Sequence, residues 1–228
     1  MTEGGRCVLV TGAARGIGAA IAERLVADGW SVHAVDVADG DLATREGNRA
    51  VVDAALERFD GRLDAVVANA GFQHVAPVRD FPEEQWERLL AVLLTSPFLL
   101  ARYAWDGLAA SGDGRFLAVA SVHGLVASPL KAGYVAAKHG VLGLVKVLAL
   151  EGADAGISAS ALCPAYTRTE LVERQLEERA LDDLLGPQAV KRLLEPAEVA
   201  AAASWLLGPD GRSVTGAPLV LDLGWTAR

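Results

Sequence analysis

Tyr134 and Lys138 stand four residues apart in a run, Lys131 to Leu150, whose pattern predicts a helix. That spacing puts a phenol and an ammonium on one helical face, one turn apart. An ammonium held there favours tyrosinate, so the phenol is expected to trade a proton near neutral pH. Ser121 closes the apolar run Phe116–Ala120, which reads as a buried strand. A hydroxyl at a strand's carboxyl end faces the crevice in which ligands of open α/β sheets lie. Together the three groups suit the movement of a proton to or from a carbinol oxygen while hydride moves at its carbon. Tyr-x-x-x-Lys is also common on surface helices, so the weight of this reading rests on what lies upstream.

Elements that would position such a site run along the whole chain. Cys7–Thr11 is a short apolar, β-rich run, followed by TGAARGIG (Thr11–Gly18) and a helical pattern over Ile17–Asp28. Strand, glycine-rich turn and helix form a dinucleotide-binding start, because glycines admit a pyrophosphate and a helix N-terminus offers free N–H groups. The spacing Gly12-x-x-x-Gly16-x-Gly18 differs from GxGxxG, and a merely tight turn remains the alternative. A second strand, Ser31–Val37, carries Asp36 eighteen residues after Gly18. A carboxylate there accepts hydrogen bonds from ribose hydroxyls and repels a 2′-phosphate, which favours NAD over NADP. Asp36 also reads as the start of a turn with Asp39 and Gly40.

Fewer than ten residues separate Asp36 from a helix expected near Arg45. A parallel crossover needs about a dozen or more residues. The outer third strand and its preceding helix therefore cannot fit, which leaves Ser31–Val37 at or near a sheet edge. Val51–Phe59 reads as the crossover to a strand Asp64–Ala68, and Asn69-Ala70-Gly71 follows at its carboxyl end. A helix is expected over Glu83–Ala110, bent by Pro97. Further elements are a strand Gly114–Ala120, a helix Ala132–Gly152 and a strand Ile157–Leu162 ended by Cys163-Pro164. An amphipathic helix Glu170–Leu185, a helix Glu195–Leu207 begun by Pro196, and a strand Ala217–Leu221 complete the chain. The alternation predicts an α/β fold in which residues 1–228 form a single domain around a doubly wound, Rossmann-like parallel sheet.

Composition narrows the function classes. The chain has 228 residues, a formal charge of −8 and 52% hydrophobic residues, and its mean hydropathy is +0.28. That charge argues against nucleic acid or an anionic membrane surface as partner. The apolar runs are short, and none is expected to reach the ~20 residues that span a bilayer. No secretory signal is evident at MTEGGRCVLV, and Cys7 and Cys163 read as buried thiols of a reducing compartment, so a cytoplasmic location is expected. No metal is expected. Apolar surface beyond one face of Glu83–Ala110 and Ala132–Gly152, with Ala136, Gly140 and Gly143 on the second, predicts burial against another subunit, hence a homo-oligomer.

TGAARGIG, the NAG triplet, a serine thirteen residues before Tyr-x-x-x-Lys, and Pro164 after a strand resemble the short-chain dehydrogenase/reductase family along nearly the whole chain. Within that family, NAGFQHVAPVRDFP, SVHGLVASPLKAGYVAAKHGVLGL, LVERQ and GWTAR resemble the D-3-hydroxybutyrate dehydrogenases. The resemblance implies Tyr134 as acid/base, Lys138 as its partner at the nicotinamide ribose, and Ser121 as holder of the substrate oxygen. It implies Gly12, Arg15, Gly16, Ile17 and Gly18 around the pyrophosphate, Asp36 on the ribose, and Asn69, Ala70 and Gly71 along the cofactor. Pro164 and Thr169 would flank the nicotinamide. Gln73, His123, Lys131 and Gln175 would meet a hydroxy acid's carboxylate, with Tyr166 and Trp225 walling the pocket. The implied activity is NAD-dependent interconversion of D-3-hydroxybutyrate, or a similar small 3-hydroxy acid, and its 3-oxo acid, and the implied assembly is a dimer or tetramer. Alternatives are a reductase for another small carbonyl compound and a nucleotide-binding protein with degraded catalysis. Three departures bear on them: Leu93 replaces a family asparagine, Ala68 precedes Asn69, and Ala165 follows Pro164.

Overall fold

Six strands, β1 (Cys7–Thr11), β2 (Ser31–Val35), β3 (Ala65–Ala68), β4 (Gly114–Val119), β5 (Ile157–Pro164) and β6 (Pro218–Leu221), pair in parallel in the order β2-β1-β3-β4-β5-β6. The computed structural model describes residues 5–176 and 180–227; the side chain of Gln175 lies outside the described residues. β1, β3 and β4 are buried along their whole length. Such strands need apolar side chains on both faces, and CVLVT, AVVA and GRFLAV supply them apart from Thr11 and Arg115.

The two faces are covered by different helices. Val8, Val10, Val67, Leu117 and Leu162 meet Ile21 and Leu25 of α1 (Gly16–Ala27) and Val199, Ala203 and Leu206 of α8 (Pro196–Leu207). Leu9, Val66, Phe116 and Ala161 point to the other face. There they meet Val51, Val52 and Ala55 of α2 (Arg45–Arg58), Leu100 and Leu108 of α4 (Ser96–Ala110), and Val141 and Val145 of α5 (Ala132–Gly152). Strand alternation thus sorts one apolar sequence into two cores.

β2 is the edge strand, and the chain goes from it straight to the crossover helix α2. A compact turn makes this possible: Asp39 Oδ2 accepts from the Asp36 N–H at 2.8 Å, and the Asp39 N–H donates to the Asp36 carbonyl at 2.9 Å. Thr44 then caps α2 by accepting from the Gly47 N–H at 3.0 Å. Fully buried Asn48 ties the turn to the core, donating to the Leu42 and Thr44 carbonyls and accepting from Ser96 Oγ at 2.6 Å.

Three expectations are corrected. The bend in Glu83–Ala110 is a π-helical turn at Ala91–Thr95, between α3 (Glu83–Leu90) and α4, and not a kink at Pro97 itself. Pro97 has no N–H for the carbonyl four residues back, so the wider hydrogen-bonding pattern takes up the turn preceding it. The segment expected as one helix over Glu170–Leu185 is described as two pieces, α6 (Glu170–Leu176) and α7 (Leu181–Leu185). Finally, Glu83–Ala110 and Ala132–Ala155 are each long and apolar enough, by length and composition, to cross a membrane. Their sheet-facing residues are core, while Phe98, Val147 and Leu150 form an exposed remainder.

Candidate active site

The carboxyl ends of β1 to β5 open on a cavity of about 400 Å³. Its floor at one end is the β1–α1 turn. Gly12 and Gly16 have φ of 64° and 59°, where a side chain is strained, and a Cβ on Gly18 would lie 2.1 Å from the Gly12 carbonyl oxygen. The turn therefore folds tightly over the start of α1, whose N-terminus has no side-chain cap and no acidic residue in its first turn. Free N–H groups on a positive helix end suit a pyrophosphate. Gly12, Arg15, Gly16 and Ile17 line the cavity; Gly18 lies beneath the turn and serves strand–helix packing.

Asp36, just past the end of β2, lines the same cavity, and its Oδ2 accepts from the Ala14 N–H at 3.0 Å. The shortened turn brings Gly40, Asp41 and Leu42 beside it, so this loop replaces part of the wall that the missing strand would make. Arg15 points to the opposite side, paired with Glu170 of α6. Asn69 donates to the Thr11 and Gly12 carbonyls at 3.0 and 2.9 Å, clamping the end of β3 to that of β1. Asn69, Ala70, Gly71, Gln73, Pro164 and Thr169 all line the cavity.

At the other end stand the residues suited to proton chemistry. Tyr134 and Lys138 both line the cavity from α5, with the ammonium 5.7 Å from the phenol ring centroid. Lys138 Nζ donates to the Val119 carbonyl at 2.6 Å. Ser121 sits one layer behind the lining, where its hydroxyl accepts from the His123 N–H at 3.1 Å and favours the ionised form of the Tyr134 phenol. Burial pushes the Tyr134 phenol up to about 12, against a smaller opposing effect of Ser121, and burial brings Lys138 down to about 8. The depressed phenol expected from the Tyr-x-x-x-Lys spacing is thus not what this arrangement produces. Desolvation of both groups outweighs their attraction.

Lys131 begins α5 one turn before Tyr134; it is 2% exposed and lines the cavity. Its ammonium donates to the Tyr166 hydroxyl at 3.1 Å and lies 5.0 Å from that ring's centroid. Leu130, with φ of 68°, turns the chain into this position, and its carbonyl accepts from the Ala76 N–H at 3.0 Å. His123 is enclosed edge-on by Tyr134, Tyr166 and Trp225. Burial, reinforced by Lys131, lowers the imidazole to about 3, so it is neutral at physiological pH. Trp225 is outside the lining and stands behind His123 and Tyr166.

Leu93 in the π turn is 1% exposed and packs with Leu89, Ala137 and Tyr134. Sequence reasoning missed the turn residues Gly40 to Leu42, and also Arg88, which pairs with Asp41 at 3.4 Å. The shortness of the β2–α2 link was the available signal for both.

Comparison with known proteins agrees with this architecture. Residues 6–44 match the family model described as short chain dehydrogenase, and residues 37–226 match the one described as Enoyl-(Acyl carrier protein) reductase. The chain belongs to the short-chain dehydrogenase/reductase family, an oxidoreductase class. Among its relatives, D-beta-hydroxybutyrate dehydrogenase of Cupriavidus necator is 39% identical over 255 aligned positions, covering 98% of this chain and 99% of the relative. The alignment is longer than this chain's 228 residues, so the relative carries segments absent here. The Rhizobium meliloti protein of the same name is 43% identical over 183 positions, covering 75% and 70%. Among solved structures, ligand-free aldohexose dehydrogenase of Thermoplasma acidophilum superposes with a TM-score of 0.91 at 27% identity, covering 98% of this chain and 95% of that one.

Proposed function

We propose that the protein is an NAD-dependent oxidoreductase interconverting a small D-3-hydroxy acid, D-3-hydroxybutyrate or a near homologue, and its 3-oxo acid. The observation that carries the substrate class is Lys131: an ammonium 2% exposed, one helical turn from Tyr134, in the wall of the same cavity. A carboxylate entering the cavity would meet that ammonium away from bulk water, where a charge-assisted contact is strong. Asp36 supports NAD over NADP, since a 2′-phosphate would meet a carboxylate at the edge of β2.

The residues divide the work as follows. The β1–α1 turn and the uncapped start of α1 would hold a pyrophosphate, Asp36 would accept from ribose hydroxyls, and Lys138 would bond the nicotinamide ribose. When bound, a nicotinamide dinucleotide supplies or takes up hydride. Lys131 orients the acid so that its third carbon and oxygen face Tyr134 and Ser121. Tyr134 moves the proton at that oxygen, and Ser121 donates to it. Gln73 lines the same end and completes the carboxylate contacts with Lys131; Gln175 is assigned there from the family pattern alone.

Exposed Phe98, Val147 and Leu150 on the outer helices support a homo-oligomer built through α4 and α5. A cytoplasmic location fits the two free buried thiols.

The test is reduced-nicotinamide absorbance with a panel of D- and L-3-hydroxy acids and uncharged alcohols. Lys131→Ala should raise the KM for the acid roughly 10- to 100-fold, the worth of one charge-assisted contact, and leave NAD affinity unchanged. Equal turnover of acids and uncharged alcohols would remove the carboxylate from the reading.

A further inference from the structure

We propose that the protein binds a phosphate dianion, free or as the end of a monoester, in a second cavity at the amino ends of β4 and β5. This site lies at the opposite end of the strands from the candidate active site and is independent of the proposed function.

Arg115 is the charged residue in the otherwise apolar run of β4. It is 3% exposed, and a guanidinium does not shed its proton, so its burial requires acceptors on every side. The surrounding chain supplies too few. Nη1 donates to Ser158 Oγ at 3.1 Å and, less closely, to the Gly114 carbonyl at 3.4 Å. Nη2 lies 2.9 Å from Asp113 Oδ1 but off the hydrogen-bonding direction, and Nε has no acceptor among the described residues.

Asp113 is also shared. Its Oδ2 lies 3.1 Å from Nη2 of Arg6 and 3.1 Å from Nη2 of Arg212. Three guanidinium groups thus meet one carboxylate, two positive charges in excess. Arg6 is anchored elsewhere, with Nη1 on the Leu207 carbonyl at 2.8 Å and its guanidinium 4.8 Å from the Trp30 ring. Arg115 and Arg212 instead line a cavity of about 300 Å³ with Ser158 and Thr215, and Asp113 is the only acid among its described lining residues. Burial is the largest influence lowering the Arg115 pKa; Asp113 opposes it, and the repulsion of Arg6 and Arg212 adds to it.

These groups select the ligand. A dianion matches two charges in excess, and a tetrahedral oxyanion can accept from two guanidinium groups at once. Ser158 Oγ already accepts from Arg115, so its own hydrogen is left to donate. Arginines near the carboxyl ends of α4 and α5 could serve only to offset the helix dipoles. Among the described residues, however, Arg115 and Arg212 donate to no terminal carbonyl of either helix; they turn to Asp113 and Ser158. A bound phosphate would join the starts of β4 and β5 to Arg212, in the segment that leads into β6.

Thermal unfolding of the full chain tests the site, with inorganic phosphate compared with sodium chloride at equal ionic strength. Phosphate should raise Tm saturably, by roughly 5–10 °C at a concentration 100 times its Kd, and chloride should not. Arg212→Gln alters an exposed side chain and should weaken phosphate binding roughly tenfold. Asp113→Asn deprives Arg115 of its carboxylate, so it should lower Tm without ligand, and phosphate should raise that Tm by more than the parent's. Glycerol 1-phosphate binding more tightly than phosphate would assign the site to a monoester, and weaker binding to the free ion; either supports the dianion site. A parent that responds to phosphate only as to chloride would overturn it. So would a phosphate response left unchanged by both Arg212→Gln and Asp113→Asn, since that places the anion elsewhere, as at the β1–α1 turn.

Discussion

The Asp36 carboxylate is fixed before any ligand arrives, since its Oδ2 accepts from the Ala14 N–H and its Oδ1 from the Val37 N–H. Its place beside the glycine turn is why the proposed preference for NAD is assigned to this one residue. Asp36→Ala should narrow the preference for NAD over NADP by roughly 10- to 100-fold, measured as the ratio of dissociation constants. An unchanged ratio would move that preference elsewhere. His123 makes a second residue-scale prediction, in stability. Its pKa is lowered from 6.5 to about 3 on folding. The unfolded chain therefore binds the extra proton between those values, and stability falls as pH drops from about 6.5 towards 3. His123→Asn should flatten this acid limb in urea titrations at successive pH values. Of the residues assigned roles, Asp36, Tyr134 and Lys138 stood out by type and spacing, and Lys131 through the family resemblance. The protonation of His123 and Tyr134 was not legible, because the burial that shifts both, and the charges of Lys131 near His123 and of Tyr166 and Cys163 near Tyr134, come together only in the fold.

Helices and strands were legible wherever apolar periodicity was long, as in Ala132–Gly152, and wherever chain length forbade an alternative, as between Asp36 and Arg45. The π turn was not, because only the backbone accommodation ahead of Pro97 creates it. Leu93 sits in that turn, and a Cβ on Gly71 would lie 2.8 Å from its Cδ2. This packing sets the cost of a polar group there. Leu93→Asn should lower the unfolding free energy by ~2–4 kcal/mol through lost burial and an unsatisfied amide, read from denaturant midpoints. Leu93→Met should cost less than ~1.5 kcal/mol. A neutral Leu93→Asn would show that the turn can admit water. At the opposite end of the cavity, Gly18→Ala should abolish dinucleotide binding and lower Tm, because the new methyl would meet the Gly12 carbonyl at 2.1 Å.

At the scale of the whole molecule, removal of the outer strand leaves β2 at the edge while preserving the crevice at the carboxyl ends of the strands. The outward face of α5 was expected to bring Ala136, Gly140 and Gly143 against another subunit. Gly140 is already used inside the chain, where a Cβ would meet Leu94 at 2.9 Å, whereas Gly143 faces open space. Exposed Val147 and Leu150 extend that open face, Leu150 being 80% exposed. Light scattering at micromolar concentration should find a dimer or tetramer, and Val147→Glu with Leu150→Glu should shift it towards monomer; a monomeric parent would contradict the interface. Hydride exchange between NAD and a small 3-hydroxy acid at Tyr134 is the central claim. Single-turnover formation of reduced nicotinamide from D-3-hydroxybutyrate, comparing parent with Tyr134→Phe, tests it most directly. Formation in the parent, at least ~10²-fold slower in the variant, is the predicted result. Equal rates in the two proteins, or no reduction by either with any acid of the panel, would contradict it.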